Sequence, residues 1–302
     1  MITRTQFGQN LLWITLDSDQ LAKSSNLYKQ YGIDEETVSY ALDKNERAHT
    51  EYNWETDTLT VIFNVLNPTK DDNHYETIPM TFIAKKDRLI TLYNGENAYI
   101  VDLMNRYIQH TPNLTIYQFL FVSLFLISEA YFPFIERMDR SKDSINQKLR
   151  EKTTKTHLLA LSDIETGTLY LVSAANQNTI LLEQLKSQSI YKQLNDIERE
   201  QLEDTIIEAR QLSSMTQLNA QILQQLSGTY NNILNNNLND NMTTLTIISI
   251  LLAILAVITG FFGMNVPLPM TNNKNAWLII IGFSFFLWVV YAAILRFITR
   301  KK

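Results

Sequence analysis

The stretch LTIISILLAILAVITGFFGMN, residues 245–265, decides the fold that the sequence predicts. Its first 18 residues form an apolar run whose only polar side chains are Thr246, Ser249 and Thr259. The hydrocarbon core of a bilayer is ~30 Å thick and needs about 20 helical residues, so this run is long enough to cross it. The run therefore predicts a transmembrane helix at about residues 243–262.

A second apolar run, Ala276–Leu295, follows after a short connector. It contains 20 residues and no charge, which predicts a second transmembrane helix at about 276–296. The alternative, a buried helical hairpin in a soluble protein, is disfavoured because the second run ends in a cluster of basic residues. We therefore expect a transmembrane domain over residues 241–302, with an outer loop at 263–275.

The charge distribution orients these two helices in the membrane. After Asp240 the chain has five basic residues and no acidic one, and four of the five lie near its C-terminal end: Arg296, Arg300, Lys301 and Lys302. By the positive-inside rule this cluster is cytosolic, and two spans return the N-terminal part of the chain to the same side. We expect a multi-pass protein of the cytoplasmic membrane, in contact with the lipid bilayer, with both termini in the cytosol.

The part of the chain before the spans is acidic. Residues 1–240 contain 21 basic and 31 acidic residues, a net charge of −10. This balance argues against nucleic acid as a partner and favours divalent cations. The chain has no cysteine, which excludes disulfides, thiolate zinc sites and cysteine nucleophiles. It has no phosphate-binding loop, HExxH motif or GxSxG motif, so we predict no enzyme activity. Its N-terminus lacks the apolar core of a signal peptide, so we predict none.

Residues 1–110 predict a small cytosolic α/β domain. Short runs rich in β-branched and aromatic residues predict four strands, at Leu11–Leu16, Thr58–Val65, Ile78–Ile83 and Leu89–Leu92. Helices are predicted at about Asp17–Tyr31 and Asp34–Leu42, the second with Asp34 as its N-cap. Asp71, Asp72 and Asn73 predict a turn between two of the strands.

Residues 111–240 predict long cytosolic helices. No proline occurs between Pro133 and Pro267, and three helices are predicted at about 114–150, 155–188 and 194–262. The last helix carries apolar residues every three or four positions from Leu202 to Ile233, as in a helix packed along its length. At ~1.5 Å per residue its predicted length is ~100 Å, which makes it a stalk that continues into the first membrane span.

One face of the first span is small and mildly polar. This stripe alternates steps of four and three residues and consists of Met242, Thr246, Ser249, Ala253, Ala256 and Gly260. It continues to Asn239 and Asn235 below, and Asn265 lies above it. Small residues also let membrane helices pack closely, so helix packing stays open as an alternative to a pore lining. Two spans cannot enclose a water-filled path, so a pore requires several copies of the chain.

Gly263-Met264-Asn265, directly after the first of the two spans, resembles the signature of the CorA family of magnesium transporters. The resemblance covers essentially the whole chain and includes Trp13–Asp17, Tyr31–Ile33, Ala41–Asp43 and Gly167–Leu185. It implies a homopentamer with a cytosolic α/β funnel, a long stalk helix and a pore lined by the first span. The function it implies is influx of Mg²⁺, and also of cobalt or nickel, across the cytoplasmic membrane under control of intracellular Mg²⁺.

The resemblance also implies roles for single residues. Gly263, Met264 and Asn265 correspond to the selectivity filter, in which a ring of asparagine amides hydrogen-bonds the water shell of Mg²⁺. Gly263 would provide a backbone conformation that other residues resist. The inner neck of the pore would be formed by Asn239, Met242 and Leu245.

A regulatory Mg²⁺ site between subunits is implied at Asp204. Its partner is not placed by a motif, and Asp57, Asp71 and Asp72 are candidates. The chain departs from the family in three places, the first of which is Phe262, where tyrosine often precedes the glycine. Its outer connector contains no acidic residue, and seven asparagines between Asn231 and Asn241 form either a wet lining or an exposed juxtamembrane surface.

Two alternative functions stay open. The first is a zinc transporter of the related zinc transport B group, which shares the architecture but more often has Gly-Ile-Asn at the tripeptide. The second is a membrane-anchored sensor or structural oligomer, in which the stalk transmits a signal and no ion permeates. Ion flux in liposomes distinguishes these classes.

Overall fold

The protein is described by a computed structural model that covers residues 2–18, 27–264 and 275–299. The chain divides into two compact units, which we call the N-terminal unit, Met1–Gly228, and the C-terminal unit, Thr229–Lys302. The helix α7 (Asp196–Phe262) begins in the first and ends in the second.

The N-terminal unit begins with a six-stranded sheet. Its strands are β1 (Ile2–Phe7), β2 (Leu11–Asp17), β3 (His49–Asn53), β4 (Thr58–Leu66), β5 (Thr77–Lys85) and β6 (Arg88–Tyr93). The spatial order is β1-β2-β6-β5-β4-β3, and all neighbours are antiparallel except β2 and β6. The central strands β4 and β5 are buried over seven or more consecutive residues, because helices cover both faces of the sheet.

The helices are α1 (Leu27–Gln30), α2 (Glu35–Leu42), α3 (Ala98–His110), α4 (Ile116–Glu151), α5 (Lys155–Leu185), α6 (Ser189–Gln193), α7 and α8 (Ala276–Thr299). The larger core lies between one face of the sheet and α3, α4, α5 and α7. The smaller core lies on the other face, where Ile14, Ile90 and Leu92 pack with α1 and α2. Asp34 caps α2 as predicted, since its side chain accepts a hydrogen bond from the Thr37 N–H.

Asparagine side chains complete the sheet where two strands stop. The strand β3 pairs with β4 only as far as Ile62. Beyond it, the Asn178 side chain accepts a hydrogen bond from the Asn64 N–H at 2.9 Å and donates one to the Asn64 carbonyl at 2.8 Å. The strand β6 pairs with β5 only from Thr81 onward, and beyond it the Asn97 amide donates to the Pro79 carbonyl at 3.2 Å. Both asparagines are buried, so each replaces a missing strand as hydrogen-bond partner.

The long helices agree with the predicted ones to within a few residues at each end. A capping box at Thr115 and Gln118 opens α4, and Pro133 lies inside that helix. Within the N-terminal unit α4 and α7 run parallel: the Thr205 hydroxyl donates to the Phe121 carbonyl, and farther along Asn219 approaches Asp139.

The helix predicted at about Asp17–Tyr31 starts one residue too early, since Asp17 is in a strand and Ser18 is helical. Asp17 is the last residue of β2 and pairs with Tyr93 of β6, because the parallel pairing extends the strand by one residue. Residues 19–26 of that prediction lie outside the described residues, and Ser18 and Leu27–Gln30 are helical in the described part. The predicted turn at Asp71–Asn73 is confirmed, with positive φ at Asp72 and Asn73 and backbone bonds between Asp71 and His74.

Candidate functional site

The membrane-spanning part of α7 has one covered face. Beyond Met242 its only half-buried residues are Ile247, Leu251, Ile254, Leu255, Ile258 and Phe262. At 100° per residue these six lie within about 50° of a single direction. The less exposed residues of α8 also share one side: Ile280, Ser284, Leu287, Trp288 and Ala292. Within one chain, the C-terminal unit therefore partly covers the Ile- and Leu-rich side of α7.

The predicted pore stripe lies on the opposite side of α7. All of its residues are exposed in the single chain: Met242, Thr246, Ser249, Ala253, Ala256 and Gly260. The direction of the stripe is about 170° from that of the covered face. Packing within one chain therefore does not use the small residues, so only contact between copies remains as a packing explanation. Leu245, predicted for the inner neck, is 65% exposed at the edge of the stripe.

The two hydroxyls of the stripe are bonded to their own helix. Thr246 Oγ1 donates to the Met242 carbonyl and Ser249 Oγ to the Leu245 carbonyl, both at 2.8 Å. Each hydroxyl hydrogen is thereby used, and the oxygen retains only acceptor lone pairs. The water molecules around a metal cation present hydrogens outward, so these oxygens suit a hydrated cation.

The predicted filter is described only in part. Gly263 follows the last turn of α7, and its N–H donates to the Thr259 carbonyl at 2.9 Å. Met264 is 52% exposed. Asn265 and the connector residues through 274 lie outside the described residues. The filter role of the tripeptide thus stays a prediction.

Gly263 does not adopt a left-handed backbone conformation. Its φ is not positive, so the position does not require the left-handed backbone that glycine permits. What distinguishes the position is space, because a Cβ there would come 3.1 Å from the Thr259 carbonyl oxygen. A larger residue would require that carbonyl oxygen to shift by a few tenths of an ångström.

Below the stripe, Asn235 and Asn239 are exposed on α7. The other asparagines of this segment are exposed as well: Asn231, Asn232, Asn236, Asn237 and Asn241. The helix is unbroken through the segment, so the directions of these side chains relative to the stripe follow from the same rotation per residue.

Asp204 lies on the exposed side of α7 in the N-terminal unit. One turn later, burial and the nearby Glu129 raise the pKa of the Glu208 carboxyl. Glu203 forms an ion pair with Lys186 of the chain segment after α5. Among the described residues of this one chain, no three His, Asp or Glu side chains are grouped to hold a metal ion.

The candidate partners of Asp204 have structural roles in turns. Asp57 has a positive φ and accepts a hydrogen bond from the Tyr52 hydroxyl at 2.7 Å. Asp71 and Asp72 belong to the tight turn between β4 and β5. A regulatory site that uses Asp204 would need ligands from a second copy of the chain.

The sequence prediction missed an exposed apolar line on α7. The buried residues of the predicted packing seam run through Leu202, Ile206, Ala209 and Leu212 and then continue through Thr216 and Leu223. Leu218 and Ile222, predicted in that seam, are instead 56% and 38% exposed, in line with Ile197 and Ile207. A strict 3.6-residue period would have separated the two lines.

By length and composition, three helices of the described chain could cross a membrane: α4, α7 and Trp277–Ile294 of α8. The apolar segment of α4 is 61% buried inside the protein, because it packs against the sheet, whereas those of α7 and α8 are 0% buried. Only α7 and α8 therefore present unburied apolar segments.

A sequence model of one protein family, described as CorA-like Mg²⁺ transporter protein, matches residues 8–300. A search of curated proteins gives no significant match. Among solved structures, the complete CorA magnesium transporter from Methanocaldococcus jannaschii is 21% identical, with a TM-score of 0.75 over 97% of this chain and 91% of that one. The full-length CmaX protein is 14% identical, with a TM-score of 0.68 over 93% and 88% of the two chains. The cytoplasmic domain of ZntB from Vibrio parahaemolyticus is 8% identical, with a TM-score of 0.54 over 78% and 91%.

Proposed function

Because this chain belongs to the family of CorA-like Mg²⁺ transporter proteins, we propose that it forms a homo-oligomeric channel whose pore, lined by α7, conducts hydrated Mg²⁺. Cobalt and nickel, which form similar hydrated ions, are proposed as further substrates. The assembly is proposed to be a pentamer, as the family resemblance implies. The outer filter is assigned to Gly263, Met264 and Asn265 by the same resemblance.

The observation that carries this proposal is the exposed stripe of α7. A face that is small, mildly polar and unused inside the chain is available to line an axis between copies. The opposite, Ile- and Leu-rich face packs within the chain, and α8 would lie between α7 and lipid. The acceptor oxygens of Thr246 and Ser249 support passage of an ion that keeps its water shell, since Mg²⁺ gives up water reluctantly.

Self-association of the N-terminal unit is supported by the exposed apolar line of α7, Ile197, Ile207, Leu218 and Ile222. Exposed apolar residues in a row along a helix are a common contact between subunits. We propose that this line packs against the neighbouring copies.

The orientation that we propose places both termini in the cytosol, with α7 and α8 as the two spans. The basic C-terminal cluster supports it. A cysteine at Asn273 should react with an impermeant reagent from outside, and one at the 77% exposed Trp54 should not. The reverse labelling pattern would contradict this orientation.

The pore lining is tested by single cysteines, which this cysteine-free chain permits without background. In reconstituted protein, Ser249→Cys and Ala253→Cys should react with a small hydrophilic thiol reagent, and the reaction should reduce Mg²⁺ flux at least several-fold. The matched control is Leu251→Cys, on the covered face, which should neither react nor change flux. Reaction at position 251 with none at 249 and 253 would show that another face lines the path.

The zinc alternative gains no specific support. The ZntB domain shows likeness of fold only, at 8% identity. The described part of the chain contains no grouped His, Asp or Glu side chains that would favour zinc over a hydrated cation. Flux of Mg²⁺ that persists in excess zinc would separate the two substrates, and absence of any flux would favour the sensor alternative.

A further inference from the structure

A small cavity of the N-terminal unit lies where the connection between β4 and β5 meets α4 and α5. Two cationic side chains line it, Lys70 of the connection and Arg137 of α4. Asp163 of α5 is the only acidic side chain among the described residues around it. None of these three side chains forms an ion pair with another described residue. The cavity therefore presents two cations whose charge is not neutralised by a carboxylate in contact with them.

Two aromatic rings hold these cations in place. The Lys70 ammonium nitrogen lies 5.1 Å from the centre of the Tyr75 ring, and the Arg137 guanidinium carbon lies 4.0 Å from the centre of the Phe134 ring. The two rings contact each other edge to face, with 5.4 Å between their centres. Contacts of a cation with a ring face are attractive, so both side chains are positioned before any ligand binds. This lowers the entropy that a ligand would lose by ordering them.

The connection that forms one wall of the cavity is fixed against α5. A Cβ at Gly167 of α5 would come 3.2 Å from the Tyr75 backbone nitrogen, so the two segments approach each other closely at this glycine. The neighbouring His74 ring stacks on the Tyr170 ring of α5, with 5.6 Å between their centres. The wall is therefore a packed surface of the N-terminal unit, although several of the side chains on it are exposed.

We propose that this cavity binds a phosphoryl group, with Lys70 and Arg137 as its charged donors. The cavity offers about 40 Å³ to the centres of water-sized groups. One water molecule needs about 10–15 Å³ by this measure, so the space suits roughly three oxygens, as many as a phosphoryl group exposes. The Arg137 Nε donates to the Pro133 carbonyl at 3.3 Å, which leaves its terminal amino groups for phosphate oxygens. The lysine contributes a compact charge.

The charge around the cavity favours an anion, although the N-terminal part of the chain is acidic as a whole. Residues 136–157, the end of α4 and the start of α5, contain seven basic and four acidic residues. Asp163 opposes the anion by like-charge repulsion, which gives the proposal a distinctive test, because removal of that carboxylate should strengthen binding. A soluble phosphate and a phospholipid headgroup carry the same phosphoryl group, and the experiment separates them. The proposal does not depend on ion conduction.

The test is calorimetric titration of inorganic phosphate into the full-length protein in detergent, without divalent cations. We expect the double variant Lys70→Gln/Arg137→Gln to raise the Kd at least about tenfold, because both charged donors are lost. Asp163→Asn should lower the Kd at least about threefold. The control double Arg140→Gln/Lys148→Gln removes two exposed positive charges of α4 that do not line the cavity, and its Kd should stay within about twofold of wild type.

A second titration uses a short-chain phosphatidic acid as the probe. If it binds more tightly than phosphate and depends on the same two donors, the source is a lipid headgroup, whereas equal or weaker binding with that dependence indicates a soluble phosphate. Size-exclusion chromatography checks that the variants assemble as the wild type does. Absence of binding of both probes to the wild type, equal loss in the two double variants, or weaker binding in Asp163→Asn would overturn the proposed site.

Discussion

At the scale of single residues, asparagine amides act as substitutes for backbone. Asn178 reaches from α5 to the N–H and C=O of Asn64, and Tyr131 donates its hydroxyl to the same carbonyl at 2.9 Å. Asn64 also donates its own amide to Gln177 at 3.2 Å. This buried network joins the helices α4 and α5 to the central strand β4. Two of its members, Gln177 and Asn178, belong to the Gly167–Leu185 stretch that resembles the CorA family, so part of that stretch connects the helix to the sheet.

Asn178→Ala should destabilise the N-terminal unit by about 2–4 kcal/mol, because it leaves one buried N–H without a partner and weakens the bonding of one carbonyl. The matched control is Asn176→Ala, at an exposed position of the same helix, which should change stability by less than about 0.5 kcal/mol. Denaturant unfolding of the full-length protein in detergent measures both. Equal effects would show that the Asn64–Asn178 pairing contributes little.

Asn265 is the residue on which the family resemblance places the outer filter. Asn265→Ala should abolish Mg²⁺ uptake while the oligomer stays assembled, since the ring of amide oxygens is lost. Asn265→Asp adds a ring of negative charge and should change selectivity and block rather than only reduce transport. Uptake and size-exclusion measurements on both variants test this. An assembled Asn265→Ala protein with normal flux would remove Asn265 from the mechanism.

At the scale of elements, the sequence predicts the central and strongly apolar segments best. The strands β4 and β5 are buried on both faces, so they read as continuous apolar runs, and α4, α5 and α7 are long and lack interior breakers apart from Pro133. The edge strands β1 and β3 were not predicted, because half of their side chains face solvent and few are strongly apolar. The helix α3 and the short helix α6 were missed as well. The covered side of α7 required the structure, since both of its faces are apolar enough to be buried.

The exposed apolar line of α7 predicts how the N-terminal unit associates. Leu218→Glu/Ile222→Glu should raise the protein concentration at which half of the chains are assembled at least tenfold, because charges would be buried between copies. The control Gln217→Glu/Gln224→Glu adds the same two charges on another exposed side of the helix and should leave assembly intact. Native mass spectrometry in detergent measures both. Intact assembly in the first double would show that this line faces solvent in the oligomer.

At the scale of the whole molecule, the acidic N-terminal part suggests feedback by the transported ion. Residues 1–240 carry a net charge of −10, and copies that assemble around one axis repel each other unless cations are bound. We propose that Mg²⁺ between subunits at Asp204 favours the closed arrangement. The ion shifts that equilibrium only by its different affinity for the two states.

Asp204→Ala should therefore lose most of the protection against protease that millimolar Mg²⁺ gives the wild type. Asp204→Lys should be protected even without Mg²⁺, because its charge replaces that of the bound cation. The control is Glu203→Ala, which removes a carboxylate already paired with Lys186 and should keep the Mg²⁺ response. Identical Mg²⁺-dependent protection in wild type and Asp204→Ala would exclude Asp204 from the sensor.

The completion of the sheet by Asn178 has a consequence for synthesis on the ribosome. Asn178 lies 114 residues after the strand position that it covers. At 5–20 residues per second, the end of β4 stays open for roughly 6–23 s while the intervening chain is made. During that interval an apolar strand presents unpaired backbone groups, which is the condition under which nascent chains aggregate or recruit chaperones. Limited proteolysis of nascent chains stalled before and after α5 is complete measures when this window closes.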